Sequence, residues 1–175
     1  MGPRIAWDFE HSSTHEATRV EFRSVALELA CRMRVLFVCS GNAHRSPLAE
    51  ALLKKLRPDL EVESAGIRTA IPISAEVREY LARENAERYL KKTPESLDGK
   101  QLNSYDVIVV MEQRHKAVIS IKCSDCEGRT VVWNIEDPYF LEHEYAEQVY
   151  DQIKGKVREL AESLPEAKGR SATKT

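Results

Sequence analysis

The residues with the clearest chemical meaning are Cys39-Ser40-Gly41-Asn42-Ala43-His44-Arg45-Ser46, in which a cysteine and an arginine bracket five residues. A short apolar run, Val35-Leu36-Phe37-Val38, precedes them, and an apolar helical pattern, Leu48-Ala49-Glu50-Ala51-Leu52-Leu53, follows. A strand that turns through a polar loop into a helix start presents unpaired N–H groups and the positive end of the helix dipole, so it attracts anions. Successive N–H groups of a curled loop make a nest for a phosphate-like oxyanion. Arg45 adds a planar fork that matches two of that anion's oxygens. The same field favours the thiolate of Cys39, the nucleophilic form. A nucleophile in an anion cradle implies attack on a phosphate or a related oxyanion. The ordinary alternative for Cys39 is a packed core position, and a polar loop at a helix start is the wrong place for one.

The elements that must position these residues alternate along the chain. Strands are expected at Val35–Val38, near Leu60–Ser64, at Val107–Met111 and at Thr130–Trp133. Helices are expected from about Pro47 to Leu56, Ser74 to Leu90, Gln113 to Ile121 and Glu142 to Leu164, the last with Val149, Ile153, Val157 and Leu160 along one side. Pro47 suits a first helical turn, with Ser46 as its cap. Val107–Met111 is continuously apolar, as a strand buried on both faces should be. Strands alternating with helices give a three-layer α/β/α fold around a four-stranded parallel sheet, with the anion-binding loop after strand one. Ligands of such sheets sit beyond the carboxyl ends of the strands, where the strand order switches. Cys39 follows strand one, and Asp137 lies just past strand four. The topology therefore brings both to one edge.

The chain has 175 residues, 42% apolar and 31% charged, with a net charge of −2. That suits a single catalytic domain. Nothing in it calls for nucleic acid or a membrane surface as a partner, and no apolar stretch approaches the ~18 residues of a membrane span. Residues 1–32 read as a flexible N-terminal extension, 33–165 as the catalytic domain and 166–175 as a polar C-terminal tail. A nucleophilic cysteine must stay reduced, so a cytoplasmic setting is expected. Cys123-Ser124-Asp125-Cys126 could be two loop cysteines, a disulfide or a redox pair. Zinc would need a second pair of ligands, so no metal or cofactor is expected.

The run Val35 through Glu50, the C-x5-R-S loop within it and the downstream Asp137-Pro138-Tyr139 together resemble the low-molecular-weight protein tyrosine phosphatases. Ser64-Ala65-Gly66 and Asp106-Val107-Ile108-Val109-Val110-Met111 match further landmarks in order. The resemblance implies a hydrolase that cleaves phosphomonoesters through a phosphocysteine intermediate. Cys39 would attack phosphorus and Arg45 would bind its equatorial oxygens. Asp137 would protonate the leaving oxygen and then activate water. Ser40, Gly41, Asn42, Ala43, His44 and Ser46 would complete the phosphate-binding loop, with Ser46 bonding to the thiolate and Asn42 holding the loop's backbone. Tyr139 and Phe140 would wall the substrate's ring, although plain core positions are open to both. The implied substrate is a phosphotyrosine-containing protein or a small aryl phosphate.

The chain departs from the family pattern in three places. His44 stands where many members have a second cysteine, Ala70 where an aromatic wall residue is usual, and Leu97 where some members have a histidine that supports the loop asparagine. Two alternatives share the fold. An arsenate reductase would need two further cysteines as an electron relay, with Cys123 and Cys126 the candidates. A phosphoarginine phosphatase tends to have threonine at the position of Ala43.

Overall fold

The strand Arg34–Cys39 (β1) is the spine of a computed structural model of the chain that describes residues 32–166. The expectations for residues 1–32 and for the tail lie almost wholly outside the described residues. In β1, Val35, Phe37 and Cys39 enter one hydrophobic core while Leu36 and Val38 enter another, the two-sided burial that a period of two produces. Glu61–Gly66 (β2) pairs parallel to β1 on one side, Val107–Val110 (β3) on the other, and Thr130–Val132 (β4) pairs parallel to β3. The order β2-β1-β3-β4 makes the chain leave β1 in opposite directions, so the switch point lies between β1 and β3. The expected sheet is the observed one.

Helices Arg45–Leu56 (α1), Ala75–Arg83 (α2) and His143–Ser163 (α4) cover the face carrying Phe37 and Cys39; Gln113–Lys122 (α3) covers the other with a set of 3₁₀ turns. Ala146, Val149, Tyr150, Ile153 and Val157 form the buried stripe of α4, at the helical spacing read from the sequence. The expected helix from Ser74 to Leu90 is shorter. Its Ser74 cap accepts from the Glu76 amide, but it ends at Arg83, and a 3₁₀ turn occupies Glu87–Tyr89. The cause is a C-terminal lock. Asn85 adopts φ +53°, the Ala86 amide reaches back to the Leu81 carbonyl, and the Asn85 amide reaches Ala82. Those are the two bonds of a Schellman motif with asparagine at the left-handed position.

Two contacts tie this frame to the loop after β1. Beyond the sheet, the Ile67 amide bonds to the Cys39 carbonyl and the Arg68 amide to the Ser40 carbonyl. Gly66 lies against the loop so closely that an added Cβ would meet the Gly41 carbonyl carbon at 2.7 Å and the Asn42 amide at 2.8 Å, both backbone atoms. Gly66→Ala is therefore expected to destabilise the protein by about 1–3 kcal/mol in urea unfolding, with the loop displaced and activity lost. Gly155→Ala is the control. Gly155 is exposed within α4 and its Cβ would meet nothing within 4 Å, so that variant should gain roughly 0.5–1 kcal/mol. Equal stability for Gly66→Ala and the parent protein would contradict the packing account.

Candidate active site

Cys39 ends β1 and is 2% exposed. Its sulfur has two hydrogen-bond partners. The Asn42 amide donates to it at 3.2 Å, and the Ser46 hydroxyl lies 3.0 Å away. Ser46 Oγ accepts from Asn42 Nδ2 at 2.8 Å, and its one proton has two acceptors in reach, the sulfur at 3.0 Å and the Ala65 carbonyl at 3.4 Å. The Ser46 hydroxyl, expected beside the thiolate, lies at this sulfur.

Asn42 holds the loop in shape at φ +54°, a conformation asparagine tolerates. Every polar atom of its side chain is engaged. Nδ2 donates to Ser46 and to Ser64 Oγ at 2.8 Å each, and Oδ1 accepts from the Glu95 amide at 2.8 Å. Ser64 passes its own proton to Glu50 Oε2 at 2.5 Å. Glu50 is 2% exposed, and its charge is met by Lys91 at 3.2 Å and Lys54 at 2.5 Å. Leu97 has no part in this support and packs in the second core. Ser64, Glu50 and Lys91 provide it instead.

Arg45 opens α1 and is 1% exposed. Nη1 donates to Glu112 at 2.6 Å and to the Ile135 carbonyl at 2.9 Å; Nη2 donates to Ser40 Oγ at 3.2 Å and pairs with Asp137. Nε is buried without a hydrogen-bond partner. One N–H of a fully desolvated guanidinium is thus left for an acceptor in the cradle. Asp137 is brought here by β4 and by Ile135, whose amide bonds to the Met111 carbonyl. Its second oxygen accepts from the Tyr139 amide at 3.3 Å, which fixes the carboxylate at the head of a 3₁₀ turn.

A cavity of about 660 Å³ opens over these groups, lined among others by Cys39, Ala43, His44, Arg45, Asp137 and Tyr139. The structure thus brings together Cys39, Arg45, Asp137 and the loop residues Ser40, Gly41, Ala43 and His44; Asn42 and Ser46 lie beneath, fully buried. Tyr139 stands half exposed at the rim, edge-on to His44 at 6.0 Å. The Phe140 side chain lies outside the described residues. Ala70 also lines the mouth, with Ile67 and Ile71 beside it, so aliphatic groups stand where an aromatic wall was absent from the sequence. His44 Nδ1 lies 3.0 Å from the Tyr150 hydroxyl, joining the loop to α4. Burial lowers the His44 pKa, and Asp137 and Glu76 oppose it only in part.

Glu112 and His115 were not foreseen. Both follow β3 at the same sheet edge as Cys39, so the edge rule that placed Asp137 could have found them. Burial works against the Glu112 charge, yet bonds from Arg114 and Arg45 hold its carboxyl below the ordinary range. His115 is 1% exposed, with Nε2 3.1 Å from Ser40 Oγ. Ser40 Oγ accepts from both Arg45 and Arg114, so its proton goes to Nε2 and His115 carries its own on Nδ1. Burial first, and Arg45 second, push the His115 pKa down to about 4.

Cys123 and Cys126 are joined to each other in a disulfide. They pack in the second core while Cys39 packs in the first, on the other face of the sheet. Cys39 is the free cysteine among the described residues, and no cluster there could hold a metal ion. No helix among those residues is long and apolar enough to cross a membrane.

Comparison with known proteins gives a family and several relatives. The profile of the family described as low molecular weight phosphotyrosine protein phosphatase matches residues 34–170. The low molecular weight protein-tyrosine-phosphatase Wzb of Salmonella typhimurium is 31% identical over 151 residues, covering 78% of this chain and 97% of that protein. The structure of Vibrio vulnificus Wzb in complex with benzylphosphonate superimposes with a TM-score of 0.69 at 28% identity, over 76% of this chain and 99% of that one. The YwlE arginine phosphatase from Geobacillus stearothermophilus gives 0.67 at 27% identity, over 74% and 91%.

The histidine geometry sets a pH dependence. A group whose folded pKa lies below its unfolded value of 6.5 binds fewer protons when folded, so its stabilising contribution is whole above about pH 6.5 and is lost as pH falls toward 4. Stability should drop across that window with a slope of up to about 1.4 kcal/mol per pH unit from His115. Urea unfolding at pH 7.5, 6 and 5 should show a flatter profile for His115→Asn. Parallel profiles for the two proteins would contradict the assignment.

Proposed function

The chain belongs to the low molecular weight phosphotyrosine protein phosphatase family, and from that premise we propose that it hydrolyses phosphotyrosine in proteins through a phosphocysteine intermediate. The observation that carries the reading is a buried Cys39 sulfur with two hydrogen-bond partners, lining the same cavity as Arg45 and Asp137. The phosphate enters among the loop's N–H groups, with Arg45 Nε, the guanidinium N–H that has no partner among the described residues, on an equatorial oxygen. The Cys39 thiolate attacks phosphorus and the P–O bond to the phenol breaks. Asp137, in its acid form, gives its proton to the departing oxygen. The resulting carboxylate then takes a proton from water as that water attacks phosphorus. The P–S bond breaks, inorganic phosphate leaves, and Ser46 and the Asn42 amide receive the returning thiolate.

The burial of Cys39 favours a long aryl ester over a short seryl ester, and Tyr139, half exposed at the cavity, offers a face for the ring. Reduction of arsenate is not supported, because Cys123 and Cys126 pack in the core on the other face of the sheet from Cys39. The similarity to an arginine phosphatase makes phosphoarginine the competing substrate, and the small, buried Ala43 at the cavity does not shape the site for it. Cys39 needs a reducing compartment, which favours the cytoplasm.

The reading is tested by kcat/KM on phosphotyrosine, phosphoserine and phosphoarginine peptides. Phosphotyrosine should lead clearly; equal rates on phosphoserine, or a lead for phosphoarginine, would overturn the substrate assignment. Cys39→Ser should abolish turnover while vanadate still binds, and turnover surviving that change would remove Cys39 as nucleophile. Asp137→Asn should lose roughly 10²–10⁴-fold on poor leaving groups and much less on acidic phenols. Parallel plots of rate against leaving-group pKa for the two proteins would exclude Asp137 as the acid.

A further inference from the structure

Asp137, Tyr139 and His44 line the cavity, Tyr139 edge-on to His44. Ser40 lines it as well and is contacted by two arginines. The Arg68 amide donates to the Ser40 carbonyl at 2.9 Å, and Arg114 Nη2 donates to Ser40 Oγ at 3.2 Å. Two arginines therefore bond to one loop residue, Arg68 through its backbone amide and Arg114 through its guanidinium, and both line the cavity. Arg114 shares its charge with Glu112, which it holds at 2.8 Å through Nε and Nη2. Arg68 is exposed, and its side chain has no hydrogen bond or ion pair among the described residues. The first turn of α3, which begins at Gln113, adds the partial positive charge of a helix start beside them. No step of the reaction uses Arg68 or Arg114. With Asp137 counted against Arg45 and Glu112 against Arg114, the Arg68 charge is left without a counterion among the described residues.

We infer that Arg68 and Arg114 form a second anion subsite at the cavity mouth, which selects phosphotyrosine segments carrying another anionic group, a carboxylate or a phosphate, next to the phosphotyrosine. This rests on the reading of the site as a phosphotyrosine hydrolase. With the phosphate in the loop, residues next to the phosphotyrosine lie at the cavity that Arg68 and Arg114 line. A planar guanidinium pairs with a carboxylate or phosphate through two parallel bonds. Both arginines are solvent-accessible, so each contact should change kcat/KM by about two- to five-fold, and salt should weaken it.

The experiment uses three peptides that differ only beside a single phosphotyrosine: alanine, glutamate or phosphoserine. The readout is the ratio of kcat/KM between an anionic peptide and the alanine peptide, measured within each protein so that any loss common to all substrates cancels. The unaltered protein should prefer the glutamate or the phosphoserine peptide, and the preference should shrink in high salt. Arg114→Gln should weaken the preference, and Arg68→Glu should reverse it. A lead for both anionic peptides assigns the subsite to negative charge in general; a lead for the phosphoserine peptide alone assigns it to phosphate. Equal efficiency on all three peptides, or a ratio that Arg68→Glu leaves unchanged, would overturn the subsite while the hydrolase reading stands. Failure to cleave any of the three would instead bring down that reading.

Discussion

A guanidinium that is 1% exposed sets the terms for the whole site. Taking the Arg45 charge out of water costs several kcal/mol unless partners surround it, and removing one partner of such a pair typically costs about 3–5 kcal/mol. Three strands supply those partners at their carboxyl ends. Ser40 follows β1, Glu112 follows β3, and Ile135 and Asp137 follow β4. The sheet order is what lets residues so distant in sequence meet on one side chain. The arrangement also explains how an acid can stand beside the anion cradle. Asp137 is drawn there by the cation that will hold the phosphate, so the nucleophile, the anion clamp and the proton donor share one anchor.

The second constraint is the shape of the loop itself. Only a curled backbone turns its N–H groups inward, and here that curl includes a left-handed Asn42. Such a conformation persists when its surroundings determine it. The determining contacts come from two directions. From below, Asn42, Ser64 and Glu50 form a chain in which each donor and acceptor is matched, and Lys91 and Lys54 balance the buried carboxylate at its end. From the side, Gly66 admits the loop backbone at a distance no side chain would allow. A polar network that is fully matched in a low-dielectric setting is stiff, and stiffness is what an anion cradle needs, since donors that must reorganise stabilise a transition state less well.

Much of this was legible from residue types and spacing. The parallel sheet, the loop after β1 and the meeting of Cys39 with Asp137 follow from strand–helix alternation and from the edge rule for such sheets. The bond from Ser46 to sulfur and the structural task of Asn42 came through family resemblance; in the structure Ser46 Oγ lies 3.0 Å from that sulfur, and the Asn42 side chain bonds to Ser46, Ser64 and Glu95. The end of α2 was missed because apolar spacing continues through Tyr89 while a single left-handed Asn85 stops the helix, and periodicity does not sense one dihedral angle. Lys91 was missed because a lysine in a polar stretch looks solvated. Its role exists only because Glu50, seemingly one more charge on a helix, is turned inward toward Ser64. The Cys123–Cys126 bond could not be chosen over free thiols, since a C-x-x-C spacing is compatible with both.

The account stands or falls on a covalent bond between Cys39 and phosphorus. The direct measurement is to quench the protein in acid during steady turnover of an acidic aryl phosphate and to map the phosphate by mass spectrometry of the peptides. In Asp137→Asn the first step is spared by the good leaving group while the attack of water is slowed, so the intermediate should accumulate. The expected result is one phosphate per chain, on the peptide containing Cys39 and on its sulfur. Phosphate-free protein under conditions of active turnover and an initial burst of phenol, or phosphate on any other residue, would contradict the account.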